Sequence, residues 1–284
     1  MAELPSLFDL TGRVAVVTGG AGLLGAEFCH ILASAGAHVV VADINEQAAV
    51  VLANSIDVRW PVPETAGDIP RALPIPADVT APHSVRQLVE STLGVFGRLD
   101  ILVNSAALDP KFDPAHAGEH TNAFEDFSLE VWNQALEVNL TGMFLSCQAA
   151  VTPMLAQKGG VIINVSSIYG LVGPDQRIYQ RDDGESPAGV KPVDYSVTKA
   201  GVLGLTRYLA TYYAGKNIRV NALTPGGVFN EHDESFVQAY SARSVLGRMA
   251  EKDEMNGALL FLASDASAYM TGANLVVDGG WTAW

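Results

Sequence analysis

The chain has 284 residues, enough for one large α/β domain with a full core or for two small domains. With 49% apolar and 17% charged residues it has the composition of a packed globular protein, not of a disordered chain. A net charge of −14 argues against nucleic acid or an anionic membrane surface as a partner, since either needs a basic face.

The N-terminal stretch MAELPSLFDLTGR has neither a basic n-region nor an apolar h-region, and no run is long enough to span a bilayer, so the expected location is cytoplasmic. Arg13 to Gly20 is a short β-branched run ending in glycines. Beyond it, Leu24, Phe28, Ile31 and Leu32 recur on one helical face. HVVVADI is the next buried strand and reaches Asp43. Strand, glycine turn, helix and a strand ending in an acid make one βαβ unit. The alternation continues with strand ALPIPADV to Asp78, helix SVRQLVESTLGVFG, strand LDILVNSAA, and one long helix from SLEVWNQ to TPML. Strand GVIINVSS, helix DYSVTKAGVLGLTRYLATYYA, strand IRVNALTPGG, helix EMNGALLFLASD and strand ANLVVDGG complete the chain. Continuous apolar strands fit a parallel sheet covered on both faces. The expected fold is an α/β, Rossmann-type doubly wound domain over residues 1–284, with seven parallel strands in a single sheet and no second domain.

Two polar stretches interrupt this rhythm, Leu108 to Ser128 and Gly173 to Pro192. Both follow strands, and ligands of open α/β sheets bind beyond the C-terminal strand ends, so both are candidate substrate walls. Solvated surface insertion is the competing reading, and it is strong for the charged middle of the second stretch. Cys29 and Cys147 sit in apolar helical contexts and read as core residues; no Cys or His cluster suggests a metal.

The glycine turn VTGGAGLLG, Val17 to Gly25, fits two patterns. G-x-G-x-x-G runs from Gly20 through Gly22 to Gly25, whereas T-G-x-x-x-G-x-G fits Thr18, Gly19 and Gly25 but meets Leu23 where a glycine belongs. Asp43 follows Gly25 by 18 residues, at the end of the second strand. An acid there accepts hydrogen bonds from ribose hydroxyls and repels a 2′-phosphate; with Ile44 next and no Lys or Arg in the glycine turn, NAD is favoured over NADP. Tyr195 and Lys199 in YSVTK are four apart and share a helix face, so the ammonium is expected to lower the phenol pKa. Ser166 and Ser167 end a buried strand facing the same crevice. Asn139, between Val138 and Leu140, is a polar amide in an apolar helix and needs partners there.

In this order, TGGAGLLG, ADV, NSAA, EVNLTG, INVSS, YSVTK, IRVNALTPGGV and YMTGANLVVDGG resemble the short-chain dehydrogenase/reductase family, in its single-domain subgroup, from Thr11 to Gly280. The resemblance implies an oxidoreductase in which Tyr195 is the acid/base and Ser167 steadies the substrate oxygen. Lys199 would hold the nicotinamide ribose, and Asn139 would hold a relay water. It also implies a dinucleotide lined by Gly19, Gly22, Leu23, Leu24, Asp43 and Ile44 at the pyrophosphate and ribose. Asp78, Val79, Asn104 and Ala106 would lie along the adenine side, and Pro225, Gly226 and Val228 at the nicotinamide end.

The chain departs from the family at Leu23, at Ser105 and Ala107, and at Asn230, where a Thr is usual. Tyr195 follows Ser167 by 28 residues, more than is typical, and the extra chain is the 173–192 loop. Its Gln176, Arg177, Tyr179 and Arg181, with Asp109–Phe112 opposite, suggest a polar pocket suited to a sugar or polyol. A weaker resemblance is to family members labelled flagellin-modification or sugar-biosynthesis oxidoreductases. The alternatives are an NADPH-dependent 3-oxoacyl-thioester reductase and a non-catalytic dinucleotide-sensing scaffold. The family resemblance further implies a homotetramer, in which the tryptophans of the WTAW tail pack against a neighbour.

Overall fold

All seven apolar runs pair as strands, and every pairing is parallel. The computed structural model describes residues 4–62, 69–109, 122–179 and 189–284. The strands are β1 (Val14–Thr18), β2 (His38–Asp43), β3 (Ala72–Pro76), β4 (Ile101–Asn104), β5 (Gly160–Val165), β6 (Ile218–Pro225) and β7 (Asn274–Val277). They lie in the order β3-β2-β1-β4-β5-β6-β7. The chain winds one way through β1, β2 and β3, then crosses back to place β4 on the other side of β1. That reversal opens a crevice at the C-terminal ends of β1 and β4, where Thr18 lies opposite Asn104.

A short turn of helix, α1 (Leu4–Leu7), precedes the sheet; α2 (Leu23–Ser34), α3 (Glu46–Arg59) and α9 (Asn256–Ala263) cover one face. The other face carries α4 (Pro82–Phe96), α6 (Gly142–Ala156) and α7 (Val193–Tyr212). Alternation along β1 divides its side chains between two cores: Ala15 and Val17 join Phe28, Leu32 and Ile56, while Val16 joins Leu88, Met154 and Ile162. Both layers exclude water, which is why the strands are apolar throughout.

Two helices bury few residues. Only Ala49, Ala53 and Ile56 of α3 are buried, and Asn45 fixes its start by accepting from Ala48 N at 3.0 Å. Helix α8 (Glu234–Ser241) buries Tyr240 alone and starts at Asp233, which accepts from Phe236 N. The long helix expected across Asn139 is interrupted. Helix α5 (Leu129–Leu136) passes through a π turn, Glu137–Thr141, into α6. The extra residue in that turn is accompanied by an inward amide at Asn139, which is 1% exposed.

A third apolar cluster includes Ile168, Tyr169, Ile178, Tyr240 and Trp281. Trp281 stacks on Tyr240 at 4.1 Å, so it is covered within its own chain and does not need a neighbour, contrary to the expectation for the tail. Trp284 remains exposed. Both cysteines are buried, and desolvation pushes the Cys147 thiol up to about 12, consistent with core roles. Among the described residues no helix is long and apolar enough to cross a membrane. Nor do they contain a group of three or more His, Cys, Asp and Glu able to hold a metal ion.

Candidate active site

The crevice is a cavity of about 890 Å³ that runs from the glycine turn past the end of β4 to the two polar loops. At its base the backbone of Gly19 takes φ +62°, a left-handed conformation that L side chains rarely adopt. A Cβ there would lie 2.6 Å from Ala106 Cα, so the β1 turn and the chain after β4 meet backbone to backbone. At Gly25 a Cβ would lie 2.0 Å from Gly19 O, which seats α2 directly against the turn. The left-handed conformation therefore belongs to Gly19, and the close backbone approaches to Gly19, Gly25 and Gly20, where a Cβ would lie 2.9 Å from Val17 O. Gly22 holds an ordinary φ of −75° as the residue before α2, and Leu23 is the first helical residue, on the cavity wall. Leu24 and Ala106 line the cavity as well.

Asp43 sits at the tip of β2 with one carboxylate oxygen accepting from Ala21 N (3.0 Å) and the other from Asn45 N (2.9 Å). The acid is thus locked to the glycine turn while still facing the cavity. Ile44 beside it is 76% exposed, and the Lys or Arg residues on the described cavity wall, Lys191 and Lys199, belong to the opposite end. Asp78 and Val79 line the same stretch; the Asp78 carboxylate is held by Thr80 N and Oγ1. Pro225, Gly226, Val228 and Asn230 bound the far end.

Ser167, Tyr195 and Lys199 meet at that end. Ser167 follows β5, and its Oγ accepts from Tyr169 N at 3.2 Å. Tyr195 and Lys199 share the inner face of α7, with the ammonium 5.7 Å from the ring centroid. Lys199 Nζ donates to Val165 O at 2.9 Å. The phenol is not drawn down as its spacing from Lys199 suggests: burial drives it well above its ordinary value and Asp109 adds to this, while a hydrogen bond with Ser167 opposes the rise. Burial also lowers Lys199 to about 8, against a partial pull upward from Asp109, with Lys191 lowering it further.

The Lys199 shift sets a pH signature. Because the unfolded ammonium keeps its ordinary value near 10.5, the unfolded chain binds more protons between pH 8 and 10.5, and stability from this group rises with pH across that window. Below about 8 the cost of burying the charge is fully present. Lys199→Met is expected to melt at or above the wild-type temperature at pH 7 while losing activity. Thermal melts at pH 7 and 10 should show its advantage shrinking at the higher pH.

Asn139 is not on the cavity wall. Its Oδ1 accepts from Leu108 N (2.6 Å), and its Nδ2 donates to Leu108 O (2.9 Å) and Thr198 Oγ1 (3.3 Å). Thr198 Oγ1 in turn donates to Tyr195 O. The buried amide thus ties the loop after β4 to the helix that carries the tyrosine.

Three expected ligand-facing residues lie elsewhere. Asn104 is 2% exposed and donates to Asn164 Oδ1 at 2.8 Å; it braces β4 against β5 and is off the cavity wall. Gln176 turns to the backbone of Lys191, donating to its carbonyl (3.1 Å) and accepting from its N–H (2.8 Å). Arg177 pairs with Asp175 at 2.7 Å, its side chain 75% exposed. Tyr179 does line the cavity and donates to Tyr169 Oη at 2.8 Å. Pro110 to Phe112 and Arg181 lie outside the described residues.

Some wall residues are not among those expected from the sequence. Tyr169 reaches the cavity from a three-residue 3-10 turn too short to show a period, and Phe236 and Tyr240, four apart, reach it from the short helix α8. Tyr240 Oη accepts from Gly227 N, so α8 anchors the turn that follows β6. Lys191 sits inside the polar loop that the sequence marks only as a wall, and it pairs with Asp109 of the opposite loop.

Known proteins place this geometry. A short chain dehydrogenase family model matches residues 13–179, and a model described as Enoyl-(Acyl carrier protein) reductase matches residues 184–282. The chain is 35% identical to a D-threitol dehydrogenase of Mycolicibacterium smegmatis, over 97% of this chain and 95% of that protein. It is 37% identical to a trans-4-hydroxycyclohexanecarboxylate dehydrogenase of Sinomonas cyclohexanicum, over 95% and 93%. A crystal structure of a gluconate 5-dehydrogenase from Burkholderia cenocepacia, in complex with NADP and tartrate, superposes with a TM-score of 0.81 at 30% identity, covering 99% of this chain and 100% of that one. With a parallel sheet reversing at β1, a glycine turn below it and Ser167, Tyr195 and Lys199 above, the chain belongs to the short-chain dehydrogenase/reductase family, oxidoreductases that act on CH–OH groups with a nicotinamide dinucleotide.

Proposed function

We propose that residues 1–284 form a single dinucleotide-binding domain that interconverts a secondary alcohol and a ketone on a polar, sugar- or polyol-like substrate, using NAD. The observation that carries the cofactor choice is Asp43, whose carboxylate is fixed by Ala21 N and Asn45 N at the ribose end of the cavity. A 2′-phosphate there would meet a fixed negative charge with no cation on the described wall nearby. The same feature counts against an NADPH-dependent thioester reductase.

The cavity residues fit a dinucleotide. Gly19 and Gly25 leave a backbone floor with no side chain at the base of α2, where amide groups meet a pyrophosphate. The nicotinamide, when bound, supplies the hydride acceptor or donor. Tyr195 takes the proton from the carbinol oxygen in oxidation and returns it in reduction. The Ser167 hydroxyl holds that oxygen and stabilises charge developing on it. Lys199 orients the ribose and supplies positive charge behind the phenol. Asn139 keeps the Leu108 backbone and α7 in register, with a relay water as its further role. Tyr179 and the aromatic wall pack against the substrate.

The experiment is a comparison of NAD and NADP at matched concentrations with a panel of polyols and sugars. NAD is expected to give the higher kcat/KM. Replacing Asp43 with Ser and Ile44 with Arg should move the preference toward NADP by at least about tenfold, roughly 1.4 kcal/mol. A wild-type chain that prefers NADP would refute the cofactor assignment.

A homotetramer is proposed as well. Phe144, Val197, Tyr208 and Tyr212 on α6 and α7, and Tyr269 and Val276 beside the sheet edge, are large apolar side chains left exposed. Solution scattering should return four times the chain mass; a monomer would contradict it.

A further inference from the structure

Lys191 and Asp109 come from the two loops that flank the cavity mouth, 82 residues apart in sequence, and form an ion pair. The lysine backbone is fixed by the double hydrogen bond to Gln176. Its ammonium lies 3.9 Å from the centroid of the Tyr195 ring. Only 12% of the Lys191 side chain is exposed, whereas that of Asp109 is 50% exposed. A donor and an acceptor are therefore held side by side on the cavity wall, next to the Tyr195 ring. The alcohol chemistry assigned to Tyr195 and Ser167 has no use for either group.

Resting on the alcohol reading above, we propose that the Asp109–Lys191 pair reads a second hydroxyl on the carbon next to the one that reacts, so that the site selects vicinal diols. A hydroxyl is a neutral group that satisfies both partners through one atom, accepting from the ammonium and donating to the carboxylate. A lone alcohol leaves that corner of the cavity unmatched. A carboxylate in the same place is disfavoured, because the ammonium is already neutralised by Asp109 and the cavity also carries Glu231 and Asp233.

The test uses the full chain with NAD and four probes: cyclohexanol, cis- and trans-cyclohexane-1,2-diol, and 2-hydroxycyclohexanecarboxylate. At least one diol is expected to exceed cyclohexanol in kcat/KM by roughly tenfold or more, with the carboxylate below cyclohexanol. Lys191→Met and Asp109→Asn should each collapse the diol-to-cyclohexanol ratio to near unity, while Lys191→Arg keeps most of it. Should the Met variant fail to fold, the half-exposed Asp109→Asn decides the matter. A wild-type ratio near one, a ratio that survives both variants, or a carboxylate turned over best would overturn the proposal while leaving the alcohol reading intact. Absence of turnover with every probe and with the sugar and polyol panel would instead remove the alcohol reading, and this proposal with it.

Discussion

Tyr195→Phe is expected to lower kcat by roughly 10²–10⁴-fold, the range for removing a positioned acid/base group. The change deletes one oxygen atom and leaves the ring packing, so the fold and dinucleotide binding should persist. Tyr195 is partly buried on the cavity wall with Ser167, Lys191 and Lys199 beside it. The neighbouring phenols are otherwise engaged, since Tyr179 donates to Tyr169 Oη. Initial rates with the best alcohol of the panel, with dinucleotide affinity from fluorescence titration in parallel, separate the two effects. Undiminished turnover by the Phe variant would sink the proposed mechanism.

Gly25→Ala has the second large effect, and on a different quantity. The new methyl would stand 2.0 Å from Gly19 O, 2.9 Å from Gly19 C and 3.0 Å from Gly20 Cα, all backbone atoms that cannot rotate away. Either α2 shifts outward or the glycine turn is displaced. Overpacking of this kind costs about 1–3 kcal/mol in stability, and the displaced turn is the floor on which the pyrophosphate would sit. Dinucleotide affinity should fall by at least about tenfold, or 1.4 kcal/mol. Gly94→Ala, in α4 with nothing within 4 Å of the added carbon, is the control and should be neutral or stabilising by up to about 1 kcal/mol. Calorimetric titration with NAD and thermal melts on both variants give the comparison. Equal affinity in the Gly25 variant would show that the turn yields where the geometry says it cannot.

The same glycine turn shows how far local reading reaches. VTGGAGLLG marks a turn between a strand and a helix, and its companion acid is visible at Asp43. Which glycine carries the turn is not visible, because that depends on what lies opposite. The chain after β4 presses on Gly19 through Ala106, and α2 presses on it through Gly25, while Gly20 and Gly22 keep negative φ. Leu23, out of place in one pattern, is an ordinary first residue of α2. Asn139 is similar. Its polarity inside an apolar run says that it has partners, yet Leu108 and Thr198 are found only by folding the chain.

The periodicity of apolar residues determined the seven strands, their parallel arrangement and the covering helices with a buried stripe, because burial on two faces leaves a pattern in neighbouring residues. The spacing of Tyr195 and Lys199 likewise follows from helix geometry alone. Tertiary structure decided what depends on distant residues. It took Asn104 and Gln176 out of the ligand set by giving them internal partners, turned Arg177 toward Asp175, and covered Trp281 with Tyr240. It also brought Lys191 and Asp109 together over the catalytic ring. A side chain's type is written in the sequence; whether it faces a ligand is fixed by competing partners that the fold brings from elsewhere, and desolvation then sets its charge.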